Sequence, residues 1–296
     1  IMSKALRPKN AVIYGLLAPG LIIFAICCIM PLFVAVYNSF FDWNGGPEKT
    51  FIGLQNYAEL IGDKAFWSAF MNNLTFIFWT VLGQIGIAFI IAMLLQSRIL
   101  KFKNLHRTVI FFPVVLSAVV VGFLWRIMYN SEYGIVNTVM RGLGLERYIQ
   151  LWLDNPDIVI GSLAVPKVWQ FIGYYLIILL AAIQGIDQSV LEVAELDGAT
   201  GWKKSWYIVM PLIKNTLMVT VMLCISGNMK TFDQIFVMTG GGPGTSSEVV
   251  ALYAYNVSMN RMRYGYGSTV AIGILILSLL LILISKIVGR KKEEEA

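Results

Sequence analysis

Three polar side chains, Lys167, Gln170 and Tyr174, stand at i, i+3 and i+7 inside a long apolar run, a spacing that sets them on one face of a helix. A second apolar run carries Ser226, Lys230 and Asp233 on a shared helical face, with Asn228 and Gln234 beside them. Ionisable groups are costly in hydrocarbon and by default mark a functional path. The chemistry open to this set is hydrogen bonding to a hydroxyl-rich solute, with Trp169, Phe171 and Tyr175 offering ring faces to its C–H surfaces. Plainer uses stand beside that one. Lys230 and Asp233 can pair with each other at the membrane edge, and Lys167 can extend its amine toward the surface. Gln84 and Asn73, in another apolar run, equally suit hydrogen bonds between helices.

A third group is a polar island, Ser189 to Pro211, between two of the apolar runs. Ser189-x-x-Glu192 has the form of a capping box, which predicts a helix from Val190 to about Asp197. Gly198 suits the left-handed position that ends such a helix. Thr200 is placed to cap a second short helix, Trp202 to Val209, that stops before Pro211 because proline lacks an N–H. The first helix sets Val190, Leu191, Val193 and Ala194 beside Glu192, Glu195 and Asp197, a surface suited to a partner's groove. From helix chemistry alone, a well-capped interfacial connector is the competing reading.

The elements that must hold these groups are membrane helices. Of 296 residues, 57% are hydrophobic and 14% charged, against about 25% charged in an ordinary soluble domain. Apolar runs long enough to span a bilayer as helices recur along the chain, near 11–40, 70–96, 107–129, 158–185, 213–236 and 268–289. The fold class expected is an all-α polytopic membrane protein with six transmembrane helices. Pro19 and Pro31 are expected to bend or end parts of the first span, and that span is too long for a cleaved signal peptide.

Loop charges orient the spans. Fourteen basic residues (Lys4, Arg7, Lys9, Arg98, Lys101, Lys103, Arg107, Lys203, Lys204, Lys214, Lys286, Arg290, Lys291 and Lys292) fall on one side, and six (Lys49, Lys64, Arg141, Arg147, Arg261 and Arg263) on the other. The positive-inside rule puts the first set, both termini and the Ser189–Pro211 loop in the cytoplasm, where ATP is. The net charge of +6 is thus topological, and no nucleic-acid partner is expected.

Other chemistries find little support. Gly240-Gly241-Gly242-Pro243-Gly244-Thr245 lacks the lysine of a phosphate loop, and the topology puts it outside. The single histidine, His106, offers neither catalysis nor a metal site, and no Cys/His cluster has zinc spacing. Cys27, Cys28 and Cys224 lie in apolar runs and read as small buried hydrophobes. No catalytic residue, bound cofactor or metal is expected of this chain.

The polar island resembles the EAA loop of ABC-importer permeases. That pattern is Glu-Ala-Ala, three residues, Gly, nine residues, Ile, one residue, Leu-Pro; here stand Glu192-Val193-Ala194, Gly198, Ile208 and Met210-Pro211, with every gap intact. Val193 and Met210 are the departures. Glu195-Leu196-Asp197-Gly198-Ala199 is similar to the form in carbohydrate permeases of the maltose type. So are Phe232-Asp233, Val237 to Gly244, Leu17-Ala18-Pro19 and Gly53-Leu54-Gln55-Asn56-Tyr57. The resemblance implies a type I ABC importer permease fold in a bacterial or archaeal inner membrane. It implies a paralogous second permease subunit, an ABC ATPase dimer that binds ATP and Mg, an external solute-binding protein, and a sugar cargo of di- or oligosaccharide size. Glu192, Val193, Ala194, Asp197, Gly198, Ala199, Ile208 and Pro211 would then couple to the ATPase, and Lys167, Gln170, Tyr174, Asn228, Lys230 and Asp233 are the candidate substrate path. The expected layout is 1–69 (tail, first helix, external loop), 70–289 (transmembrane core with coupling loop 187–212, embedded in lipid) and 290–296 (cytoplasmic tail). A secondary transporter or channel for a small polar solute is the alternative.

Overall fold

The computed structural model describes residues 10–97 and 100–294. Of the basic residues that set the orientation, Lys4, Arg7, Lys9 and Arg98 lie outside them. Fifteen α-helices and one two-stranded hairpin make up the described chain. In order they are α1 (Asn10–Phe24), α2 (Met30–Asn38), β1 (Phe41–Asp42), β2 (Thr50–Phe51), α3 (Gln55–Gly62), α4 (Lys64–Gln96), α5 (Lys103–Phe111), α6 (Ala118–Met128) and α7 (Ile135–Gly142). Then follow α8 (Val159–Gln184), α9 (Gln188–Leu196), α10 (Gly201–Lys204), α11 (Met210–Leu212), α12 (Lys214–Asn228), α13 (Asp233–Met238), α14 (Val250–Tyr255) and α15 (Tyr264–Glu294).

Four helices are long and apolar enough to cross a membrane: Val12–Asn38, Lys64–Gln96, Val159–Gln184 and Tyr264–Gly289; the count reaches six if each of two bent helix pairs is one span. The run expected as a third straight span is broken: Lys103–Val115 meets Ala118–Met128 at 99°. Pro113 sits in a 3₁₀ turn there and Leu116 and Ser117 are extended, which removes the hydrogen bonds a continuous helix needs. The fifth expected span stops at Asn228, short of 236, and its N-terminal partner Gly201–Leu212 meets it at 78°.

Proline acts differently at different sites. Pro19 lies inside α1 without ending it. Pro31 follows a π turn, Ala25–Ile29, in which Met30 N–H reaches back five residues to Ala25 O. Pro211 follows a second, Ser205–Val209, with Met210 N–H on Ser205 O. In both, widening the turn accommodates a ring that would clash in a regular α-helix. The second expected loop helix therefore does not stop before Pro211 but runs through it to Leu212.

The chain divides into two compact units. The smaller comprises residues up to 63 and 254–273. Its hairpin pairs Phe41 with Phe51 and Asp42 with Thr50. Asn56 Nδ2 donates to the carbonyls of Ser39 and Phe41 at 2.9 and 3.0 Å, and Arg263 grips Glu59 with two bonds of 2.6 and 2.7 Å. Glu59 accordingly raises the guanidinium's pKa further above its ordinary value.

The larger unit, residues 64–253 and 274 onward, holds the core. Ala88, Phe89, Ala92 and Leu95 of α4 pack on Tyr175, Leu176, Leu179 and Ile183 of α8, closed off by Cys224 of α12 and by Val209 and Ile213. Small residues bring these helices together, as is common in membranes. A Cβ on Gly83 would stand 2.6 Å from Val168, and one on Gly173 would collide with the backbone of Ile110 and Phe111. Cys224 is buried as expected, but Cys27 and Cys28 are exposed, because the apolar stretch of the first span is not buried among the described residues.

Candidate functional site

The 189–211 loop is built by its caps. Asp187, not Ser189, is the N-cap of α9: its Oδ1 accepts the Ser189 backbone N–H at 2.9 Å and the Ser189 hydroxyl at 2.8 Å. The expected capping box through Glu192 is therefore absent; the helix starts two residues earlier, at Gln188, and leaves Glu192 exposed. An aspartate is the stronger N-cap acceptor because it is charged and sits at the positive end of the helix dipole. The Ser189 N–H, then its hydroxyl, hold the Asp187 carboxyl below its ordinary pKa.

At the other end the expected glycine turn is present in detail. Gly198 has φ +83. Its N–H bonds Glu195 O at 3.1 Å, and Ala199 N–H bonds Ala194 O at 2.9 Å. Those two bonds define a Schellman motif, which satisfies the helix's last carbonyls. Gly201, φ +56, makes a second left-handed step. Thr200 occupies the N-cap of α10 in extended conformation, but its hydroxyl makes no capping bond. Lys204 then reaches back to Glu195 at 2.8 Å and ties α10 to α9.

This geometry sorts the expected coupling residues. Glu192, Val193, Asp197, Gly198 and Pro211 are exposed, while Ala199 and Ile208 are half-buried. Ala194 is only 7% exposed and Leu191 packs on the core, so these two face inward and position the helix, contrary to the shared apolar face expected of them. The outward apolar surface is Val190, Val193, Leu196, Trp202 and Tyr207, with Leu196 at 88% exposed. Trp206 stacks on Trp202 (centroids 5.9 Å apart, planes at 20°) and meets Phe89 of α4 edge-on at 6.4 Å. An exposed apolar face on a firmly capped helix, wired by aromatic contact to a central span, is suited to receive a partner and pass on its movement.

The second site is a polar seam inside the larger unit. Gln84 of α4 donates through Nε2 to Lys167 O at 2.9 Å and accepts from Cys224 Sγ at 3.1 Å, joining α4, α8 and α12. Asn228, 2% exposed, donates to Cys224 O at 2.9 Å. Asn73 donates to Met229 Sδ at 3.5 Å. Gln84 and Asn73 thus serve as ties between helices. Gln170, also 2% exposed, donates to Leu116 O at 2.8 Å and so caps the break between α5 and α6.

Of the expected path residues, the structure draws Lys167, Gln170 and Asn228 into this seam, and Lys167 Nζ lies 4.5 Å from the Phe171 ring centroid. Tyr174 is exposed on α8, in edge contact with Tyr175 at 5.1 Å. Lys230 and Asp233 are exposed at the break between α12 and α13, and no ion pair joins them. Among the described residues, the buried side-chain oxygens of Asn73, Gln170, Asn228 and Gln234 have no hydrogen-bond partner, which leaves spare acceptors on α4, α8, α12 and α13.

Sequence reasoning missed the role of Pro166. It stands inside α8 and has no N–H to give Ser162 O. That carbonyl instead accepts the Tyr129 hydroxyl at 3.0 Å, and Leu163 O accepts Gln234 Nε2 at 3.3 Å. The signal was a proline amid an apolar run, with buried polar residues elsewhere in need of partners. Among the described residues, no group of three or more His, Cys, Asp or Glu could hold a metal ion.

Comparison with known proteins accords with this architecture. A probable ABC transporter permease of Bacillus subtilis (strain 168), YurN, is 33% identical over 256 residues, 86% of this chain and 87% of that protein. The trehalose/maltose transport system permease MalF of Thermococcus litoralis is 30% identical over 244 residues, 82% of each chain. The fold matches a chain in the crystal structure of a bacterial ABC transporter involved in the import of the acidic polysaccharide alginate, with TM-score 0.80 over 95% of this chain and 96% of that one, at 23% identity. The family model for the binding-protein-dependent transport system inner membrane component matches residues 12–294. With its apolar spans and capped polar loop, the chain belongs to that family: a multi-pass membrane permease subunit, not an enzyme.

Proposed function

We propose that this permease is one half of the pore of an ATP-driven sugar importer, and that ATPase closure is transmitted to it through the 189–211 loop. The observation that carries the reading is the exposed apolar face of α9, fixed between the Asp187 cap and the Gly198 turn, in a family whose members depend on an external binding protein. The partners are a paralogous permease, an ABC ATPase dimer that supplies ATP and Mg chemistry, and a solute-binding protein. The loop and both termini face the cytoplasm. A di- or oligosaccharide is the cargo, by likeness to the trehalose/maltose relative, and Lys167, Gln170 and Asn228 contribute to its path together with Tyr174, Lys230 and Asp233 at the seam's edges.

Reconstituting the complete complex in proteoliposomes tests this. Gly198→Trp, which cannot take φ +83 without strain, should insert normally and lose ATP-driven uptake. Wild-type uptake by a correctly inserted Gly198→Trp protein removes the coupling assignment. Uptake that survives ATP depletion but collapses with the ion gradient would favour a secondary transporter instead.

A further inference from the structure

We infer that the larger unit carries a separate saccharide-binding cavity at the end of α8 remote from the 189–211 loop, and that it selects neutral over acidic sugars. The inference rests on the importer reading for its biological meaning, but the cavity is defined by its own geometry. Its volume is about 540 Å³, within the range that encloses small ligands. The loop follows Gln184 at the C-terminal end of α8. The cavity lies beyond the other end, between the end of α6, the 151–154 turn and the end of α13. The 26 residues of α8 separate them by about 39 Å at 1.5 Å per residue. The polar seam around Lys167, Gln170 and Asn228 lies between, and none of its residues lines the cavity.

The lining has the character a sugar needs. Tyr129 and Trp152 stack with centroids 5.9 Å apart and planes at 27°. Both are anchored by their polar ends, Tyr129 to Ser162 O at 3.0 Å and Trp152 Nε1 to Asn137 Oδ1 at 2.8 Å. Tyr129 is only 7% exposed and backs the half-buried Trp152, so the ring surface this pair gives the wall is that of Trp152, held rigidly and of the kind that C–H faces of a pyranose pack against. Phe236, 45% exposed, adds another ring. Planar charged groups with several hydrogen-bonding atoms flank these rings: Arg126, whose Nη1 touches Val237 O at 3.4 Å, and the exposed carboxylate of Asp154. A guanidinium donates and a carboxylate accepts, so together they serve the paired donor and acceptor character of vicinal hydroxyls. The two formal charges cancel. A uronate would gain Arg126 but face Asp154 directly, whereas a neutral sugar uses both.

The test is saturation-transfer NMR on the reconstituted permease–ATPase complex without its binding protein, with maltotriose, trehalose and lactose as neutral probes and trigalacturonate as the acidic one. Transfer to at least one neutral sugar and none to trigalacturonate is expected. Asp154→Lys should weaken the neutral signal at least fivefold and create one for trigalacturonate. Trp152→Ala should also remove the neutral signal; Asp154→Asn, at an exposed position, guards against loss through misfolding and should weaken it in part. No transfer to any neutral probe, equal transfer in wild type and Asp154→Lys, or trigalacturonate binding to wild type would each overturn the inference. Cavity binding that behaves as expected, in a complex without ATP-driven uptake, would count against the importer reading and leave the cavity standing.

Discussion

Asp187 shows how much one acceptor decides. The serine of the expected capping box is present, yet it donates to the neighbouring aspartate and does not itself cap the helix. Because folding lowers the Asp187 pKa, its contribution to loop order is present above the unfolded carboxyl's ordinary value of 3.8 and is lost as pH falls through the lower folded value. The protection of the Ser189 amide against exchange, relative to an unstructured chain at the same pH, should therefore be high at neutral pH and fall in acid below about pH 4. Asp187→Asn keeps an acceptor but does not titrate, so its exchange should show no such step; a step that persists in Asp187→Asn assigns it to another group. Gly198 was legible from spacing alone, since few residues but glycine tolerate its backbone. The choice between Ser189 and Asp187 was not legible, because both are good caps and only three-dimensional placement separates them.

Helix-scale features were read with uneven success. Long spans were visible because uninterrupted apolar length is a strong signal, and α8 at Val159–Gln184 differs from the expected 158–185 by a residue at each end. The bend at Leu116–Ser117 was hidden, because composition stays largely apolar through it and hydropathy does not register direction. Packing between helices makes Gly173 a sharp test. A valine there would press on the Ile110–Phe111 backbone and should lower stability by about 1–3 kcal/mol, as overpacking does, seen as an earlier thermal transition in detergent. A transition unchanged from wild type would contradict the close crossing of α8 with α5. The Glu195–Lys204 tie is half solvent-exposed, worth at most roughly 0.5 kcal/mol after screening. Its value is orientation of α10 against α9. Glu195→Lys should slow ATP-driven uptake severalfold, and adding Lys204→Glu should recover most of it. Failure of the double variant to improve on the single one would argue that the pair does not set the loop's geometry.

Across the whole molecule, the candidate path was only half legible. Spacing correctly put Lys167 and Gln170 on one helix, but helical periodicity carries no information about breaks, so Lys230 and Asp233 were assigned to a span that ends before them. Proline at 166 was the overlooked key, since it frees the Ser162 carbonyl that binds Tyr129 from another element. The π turn at Ser205–Val209 has a further consequence for the machine as a whole. Such a turn is an α-helix with one residue inserted, and each residue advances a helix by about 100°. The outer face of the loop and the span beyond it are thus set out of phase by more than a quarter revolution, like two cogs keyed to one shaft at a fixed offset. Deleting Tyr207 would restore regular winding, leave the chain long enough to insert, and turn the face offered by Trp202 away from its bearing. Such a protein should reach the membrane in normal amount yet leave ATP hydrolysis disconnected from uptake; full coupling after the deletion would mean that the offset carries no timing.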